Sequence, residues 1–572
     1  MTAAGPIRLV DYLATELGRA GVSHVFGVGG ANIEDLYDAV HHTAGLVRSV
    51  VAKHEFSAVT MADGYSRATA RLGVVAATSG GGAMNLVPGL TEAYASRIPV
   101  LALVGQPPTA LEGQGAFQDS SGKAGSFDAR EVFEPVSRFC ARVTEPDSIV
   151  ELLARAVTTA QTDPKGPAVL LLPKDVQQAP VALPPTRVDS PVQPPPPPVG
   201  PDATAVDRAV RVLGAADHVL VIAGEGVATA AARTELAELV RRLGACVAVT
   251  PDAKDVFDNH DSRFVGVAGV MGHPNVEQCL RRSDACLLVG TRLPLMARGG
   301  LEAALADTPV ICVDPEPPFV AGTALSGGLR ETLRTLTGRL EPRSHDLPGH
   351  GELATLPVPP NGGAESYVHA LAAIEAALPP DAHVFVDAGN VGASAIHLLP
   401  APRHGRFVVA VGMGGMGYTF GAGIGAALAT GRRTYVIAGD GAFFMHGMEV
   451  HTAVEYAAPV TFVILNNNAH AMCVTREDLF QGGARGDNLF LPADIAGGAA
   501  AMFPALDVAR AESAAQLHRA LLRTNRSPGP ALAAMDFDPR EIPPFLPFLT
   551  AFGQNPTDVE ENSHEHGPVH VG

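Results

Sequence analysis

Two strand-like runs in the last third of the chain end in side chains able to hold a cation. Thr434-Tyr435-Val436-Ile437-Ala438 leads into Gly439-Asp440-Gly441, and Thr461-Phe462-Val463-Ile464-Leu465 leads into Asn466-Asn467-Asn468. Glycines on both sides of Asp440 permit a tight turn and close backbone approach to a ligand. A carboxylate and an amide oxygen are hard donors that suit Mg²⁺ when a diphosphate completes the octahedron. Either feature alone is a common turn or strand end. Placed after two buried strands, with a helix-like run from Ala442 to Tyr456 between them, they point to diphosphate binding at a helix N-terminus.

The elements that would position these residues recur along the chain. Short β-branched runs such as Val100–Val104, Val169–Leu172, Val219–Ala223 and Ala285–Val289 are continuous in apolar character and alternate with amphipathic stretches. Strands of that kind belong to parallel sheets covered on both faces. The fold class is therefore α/β, with three doubly wound parallel-sheet domains. Two proline-rich stretches divide the 572 residues, one containing Pro194–Pro198 and one running from Glu341 to Glu365. The expected domains are 1–180, 200–340 and 365–545, followed by a polar tail over 546–572.

Composition narrows the function. A net charge of −18 argues against nucleic acid and against an anionic membrane surface. No apolar run approaches the ~18 residues of a membrane span, and Met1-Thr2-Ala3-Ala4 does not begin a signal peptide. The 6 cysteines form no C-x-x-C pair and sit in apolar surroundings, so neither a zinc site nor a disulfide framework is expected. The simplest expectation is a cytoplasmic protein acting on a small molecule.

The stretch from Gly439-Asp440-Gly441 to Asn466-Asn467 resembles the thiamine-diphosphate motif of the acetolactate synthase, pyruvate oxidase and 2-oxo acid decarboxylase superfamily. The resemblance implies Mg²⁺ held by Asp440, Asn467 and the main-chain oxygen of Ala469, with Gly439, Gly441, Ala442 and Met472 around the cofactor. It also calls for a glutamate that polarises the cofactor's aminopyrimidine, so that its exocyclic amine can take the thiazolium C2 proton. The run Lys53-His54-Glu55 to Ala68 resembles the family's glutamate helix and nominates Glu55, which by itself reads as a first-turn helix acid. Phe26-Gly27-Val28-Gly29-Gly30-Ala31 resembles the family's first Gly-rich turn. Thr78-Ser79-Gly80-Gly81-Gly82-Ala83-Met84-Asn85 resembles T-S-G-P-G-A-T-N, with Gly81 replacing the proline. Gly29, Gly30 and Asn85 are thus expected at the cofactor. Gly412-Met413-Gly414-Gly415-Met416-Gly417 resembles the run whose methionine props the bent cofactor, a role that falls to Met416 beside Gly414. Gly389 and Asn390 lie where the family holds the diphosphate from its other side.

By the same resemblance, the outer domains are the pyrimidine- and diphosphate-binding ones and meet across two chains, which implies a homodimer or homotetramer. The central domain reads as dinucleotide-fold-like. Relatives either bind FAD there or leave it empty, and no motif in this chain assigns FAD. Ala116-Phe117-Gln118 resembles the Phe-Gln pair that acetolactate synthases present to substrate, whereas the His-His pair of pyruvate-decarboxylase-type enzymes is missing. The implied activity is decarboxylation of a 2-oxo acid, pyruvate in the first instance, with transfer of the acyl unit to a second carbonyl compound. Release of a free aldehyde is the alternative, and a non-catalytic homologue is disfavoured by intact Glu55, Asp440 and Asn467. One departure stands out. The family places a tryptophan in the substrate channel, but this chain has none and puts Arg476 there. Arg476 is expected to meet a carboxylate or phosphate on a substrate, or to pair with Glu477 or Asp478 at the surface. His470, just inside, is expected as a proton relay or a loop residue.

Overall fold

A computed structural model describes residues 7–182, 200–343, 352–360, 365–483 and 486–553. Pro194–Pro198, the Gly362-Gly363 pair and the tail from residue 554 lie outside the described residues. Each apolar run noted above forms a buried strand, and the strands assemble into three six-stranded sheets, every pairing parallel. The first sheet runs Arg48–Val51, His24–Gly27, Gly73–Ala77, Val100–Gln106, Ala168–Pro173, Phe139–Arg142. The second runs Phe264–Val267, Cys246–Val249, Val219–Ala223, Ala285–Val289, Val310–Val313, Thr323–Leu325. The third runs Phe407–Val409, His383–Val386, Thr434–Gly439, Val460–Asn466, Ala531–Asp536, Asp507–Ala511. In each, strand order reverses beside the first of its strands in the chain, opening a crevice at the carboxyl ends of two neighbouring strands.

Two expectations are corrected. The run from Ala442 to Tyr456 is not one helix. It breaks into Asp440–His446, a 3₁₀ turn over Gly447–Glu449, and Val450–Glu455. The tail does not begin at 546. Leu546–Gly553 is helical because it buries Phe548, 1% exposed, against Phe545, and the Leu546 N–H bonds to the Val270 carbonyl. Among the described residues no helix is long and apolar enough to cross a membrane.

The outer sheets are joined by helices Glu55–Thr69 and Tyr418–Thr430, which cross with backbones in contact. A Cβ on Gly64 would lie 2.0 Å from the Ala422 carbonyl oxygen, one on Gly421 2.4 Å from the Ser57 oxygen, and one on Gly425 2.0 Å from the Met61 oxygen. Only glycine admits so close an approach. Beside the crossing, Arg67 donates to Asp63 at 2.7 Å and the Tyr418 hydroxyl donates to the same carboxylate, all three groups being buried. Overpacking typically costs ~1–3 kcal/mol, more where backbone must move. Gly64→Val should therefore lower the melting temperature by several degrees in differential scanning calorimetry. An unchanged melting temperature would show that the helices are not in backbone contact.

Candidate active site

In the third sheet the crevice lies between His383–Val386 and Thr434–Gly439, so residues 387–390 and 439–441 face one another. Asp440 opens the Asp440–His446 helix and is 1% exposed. Its carboxylate accepts the N–H groups of Asn467 at 3.2 Å and Ala469 at 3.0 Å, and Asn467 Oδ1 accepts the same Ala469 N–H at 3.1 Å. Burial pushes the Asp440 carboxyl above the usual range, while these N–H bonds and His470 pull it back. A cation would favour its ionised form further. Tyr367 fixes the Asn467 amide by accepting from its Nδ2 at 2.9 Å. On the facing wall Asn390 Oδ1 and Ser394 Oγ are buried with no partner, as acceptors left by an absent ligand would be. A Cβ on Gly389 or Gly414 would meet nothing within 4 Å, so both face open space. One on Gly441 would come 2.7 Å from the His470 ring and 3.0 Å from Met416 Cε. These residues fit a diphosphate and a hard cation. Among the described residues no three His, Cys, Asp or Glu side chains gather into a metal cage, so a cation at Asp440 needs oxygens from the ligand as well.

The turn carrying Met416 hangs between two carboxylates that sequence reasoning missed. Asp387, 2% exposed, accepts the Gly417 N–H at 2.9 Å, the Thr419 N–H at 3.2 Å and the Thr419 hydroxyl at 2.7 Å. Glu92, from the first domain, accepts the N–H groups of Gly412 at 3.2 Å and Met413 at 2.6 Å. The one signal for Asp387 was its place directly after a buried strand, before Gly389.

Glu55 begins its helix, which His54 caps by accepting the Phe56 N–H at 3.1 Å. Asn85 donates to Glu55 Oε2 at 2.9 Å, and a Cβ on Gly82 would lie 3.0 Å from Oε1. Gln118, at φ +60°, accepts from the Thr78 hydroxyl at 3.1 Å, and Gly30 packs on Thr78. The structure thus gathers Glu55, Asn85, Gln118 and Gly30 at the first sheet's crevice, with Gly29 facing open space and Phe117 75% exposed. Within one chain Phe56 packs against the third domain, its ring 3.6 Å from a Cβ placed on Gly415 and 4.5 Å, centroid to centroid, from His446.

Helix Ala471–Phe480 carries Met472 and Arg476, both half-buried. Arg476 makes no ion pair among the described residues, so the expected surface pairing with Glu477 or Asp478 is absent there. The His470 ring stands edge-on to Phe490, centroids 4.8 Å apart.

The central crevice lacks an open phosphate-binding turn. Its first turn, Gly224-Glu225-Gly226, leads into a helix of only four residues, Gly226–Thr229. The Gly226 N–H that a phosphate would need donates to the Gly290 carbonyl at 2.9 Å. Glu225 is buried and bound through both oxygens to Arg406, at 2.9 and 2.8 Å. The cavity above, about 460 Å³, is lined by Asp163, Asp252, Asp314 and Glu316 and by Arg97, Arg138 and Arg292, and Arg97 binds Asp314 and Glu316.

Comparison with known proteins agrees with this layout. Residues 7–124 match the thiamine pyrophosphate enzyme N-terminal TPP binding domain, 206–336 the central domain and 387–535 the C-terminal TPP binding domain. The chain is 30% identical over 499 residues to an acetolactate synthase of Arthrospira platensis, covering 81% of this chain and 82% of that one. It is 28% identical over 487 residues to a probable acetolactate synthase large subunit of Methanocaldococcus jannaschii, covering 81% and 80%. In fold it resembles the crystal structure of a benzoylformate decarboxylase from Polynucleobacter necessarius, with TM-score 0.80 at 19% identity over 94% of this chain and 99% of that one. With the glutamate helix, the glycine-rich turn and the Asp440 crevice in this arrangement, the chain belongs to the thiamine pyrophosphate enzyme family, among its acetolactate synthase-like members.

Proposed function

We propose that the protein is a thiamine-diphosphate- and Mg²⁺-dependent carboligase, which decarboxylates a 2-oxo acid such as pyruvate and passes the acyl unit to a second carbonyl compound. The observation that carries this reading is the convergence of the Asp440 carboxylate and the Asn467 amide oxygen on the Ala469 N–H, with the orphaned Asn390 oxygen across the crevice. Bound thiamine diphosphate supplies the electron sink that lets CO₂ leave a 2-oxo acid. In this reading Asp440, Asn467 and the Ala469 carbonyl hold the cation, and Gly439, Gly441, Ala442, Gly389 and Asn390 bind the diphosphate. Glu55 holds a proton against the aminopyrimidine, and Asn85 keeps its carboxylate oriented. Gly29, Gly30, Gly414 and Met472 line the cofactor, and Met416 supports its bend. Gln118, Phe117 and His470 face the substrate. Ligation is favoured over simple decarboxylation by the Phe117-Gln118 pair and by relatives that are acetolactate synthases. A homodimer or homotetramer completes the reading and would cover Met413, Phe444 and Met445, which are 50–61% exposed beside the site.

Two experiments follow from these assignments. The protein, supplied with thiamine diphosphate, Mg²⁺ and pyruvate, should release CO₂ and form a hydroxyketone, and EDTA should stop both. Free aldehyde in place of the hydroxyketone would support a simple decarboxylase, and no CO₂ from any 2-oxo acid tried would refute the reaction class. The second experiment concerns Arg476, whose guanidinium makes no ion pair among the described residues and is assigned here to an anionic acceptor. Charge-assisted hydrogen bonds contribute about 1.5–3 kcal/mol, so Arg476→Ala should lower kcat/KM for such an acceptor by roughly 10- to 150-fold. CO₂ release from the donor should change much less. An unaltered acceptor profile would remove Arg476 from the substrate site.

A further inference from the structure

The residues assigned to the cation and the diphosphate are joined by contacts confined to the third domain. Tyr367 opens the helix Tyr367–Ala377 and is 1% exposed. Its hydroxyl oxygen accepts from Asn467 Nδ2 at 2.9 Å. Its ring stacks on Phe537, with centroids 5.0 Å apart and planes inclined at 7°. Phe537 directly follows the strand Ala531–Asp536, and its N–H donates to the Asn466 carbonyl at 2.7 Å. Glu541, in the same loop, accepts the Tyr367 N–H through its side chain at 2.9 Å. Its main-chain carbonyl accepts from Asn390 Nδ2 at 3.2 Å. Tyr367 and Glu541 thereby couple Asn467 on one wall of the crevice to Asn390 on the other.

The two ends of a carboxamide are nearly alike in shape, yet only the oxygen can bind a cation. Rotated by half a turn, Asn467 would present N–H donors where a ligand oxygen is required. The Ala469 N–H holds Oδ1 at 3.1 Å, but that donor is shared with Asp440 Oδ2 at 3.0 Å. The Nδ2 end is held by Tyr367. Partners that orient a metal ligand in this way are worth ~10–100-fold in metal affinity or activity.

We propose that Tyr367 is a positioning residue for the cation, its hydroxyl keeping the Asn467 amide turned with the oxygen to the metal, and that Glu541 sets Tyr367 in place. The proposal rests on the reading that Asp440, Asn467 and the Ala469 carbonyl hold Mg²⁺. Mg²⁺ demands near-ideal octahedral geometry, whereas Ca²⁺ accepts flexible ligands. A loosened amide therefore costs Mg²⁺ more than Ca²⁺.

The test follows thiamine diphosphate binding by calorimetry at increasing Mg²⁺ or Ca²⁺, with no substrate present. Tyr367→Phe keeps the ring and its stack. It should raise the Mg²⁺ concentration needed for half-maximal binding by roughly 10- to 100-fold, and the Ca²⁺ concentration by a clearly smaller factor. The melting temperature of the cofactor-free variant should stay within a few degrees of wild type. Glu541→Ala, which removes the partner of the Tyr367 N–H, should shift the Mg²⁺ requirement in the same direction, and Glu541→Gln, which keeps an acceptor there, should restore most of it. An unchanged Mg²⁺ requirement in Tyr367→Phe, or equal losses with the two cations, would overturn the proposal. Should Tyr367→Phe not fold, equal behaviour of Glu541→Ala and Glu541→Gln would overturn it instead. Asp440→Ala serves as the control. If it loses cation-dependent cofactor binding while Tyr367→Phe keeps the wild-type Mg²⁺ requirement, only this inference fails. If Asp440→Ala also binds as the wild type does, the underlying assignment fails with it.

Discussion

Gly64, Gly421 and Gly425 let two helix backbones touch, and that contact fixes the first domain against the third. Each helix begins at its own sheet's crevice, one with the acid and the other just after the methionine. Their crossing therefore ties the first domain to the third within one chain. Side chains larger than hydrogen would spread the helices and shift one domain against the other. The buried Arg67–Asp63–Tyr418 set beside the crossing gives it an orientation as well as a distance.

Charge extends this constraint to the central domain. Arg406, buried at the start of a third-sheet strand, binds Glu225 and Asp255 of the central domain and donates to the Arg67 carbonyl of the first. Removing one member would leave a buried charge uncompensated, which is far more costly than never having buried the pair. The central domain also reaches the diphosphate side directly. Lys254 Nζ donates to the carbonyls of Ile396 at 2.6 Å and Leu399 at 2.5 Å, capping the helix whose first residue is Asn390. Through these contacts the central domain supports the third.

Much of this was legible in the sequence because it is local. Asp440 and the asparagines stand directly after buried strands, and the glycine-rich turns sit at crevices set by strand order, so short motifs carried them. What stayed hidden was contact between distant segments. Asp387 and Glu92 read as ordinary acids, yet from different domains they hold the two ends of one turn. Asn85 was assigned to the cofactor and is found holding Glu55. The break after His446 was hidden for another reason. The helical pattern continues through it, but the chain bends so that Glu449 can bind the backbone before Glu55.

The central claim is that this architecture activates bound thiamine diphosphate through Glu55. Exchange of the cofactor's C2 proton in D₂O, followed by NMR after rapid quenching, tests it without reference to any substrate. General acid–base catalysis contributes typically ~10²–10⁴-fold. The wild-type protein is expected to accelerate exchange over free cofactor by at least that order, and Glu55→Gln to lose the acceleration while retaining the cofactor. Exchange no faster than in free solution, or equally fast in Glu55→Gln, would contradict the account.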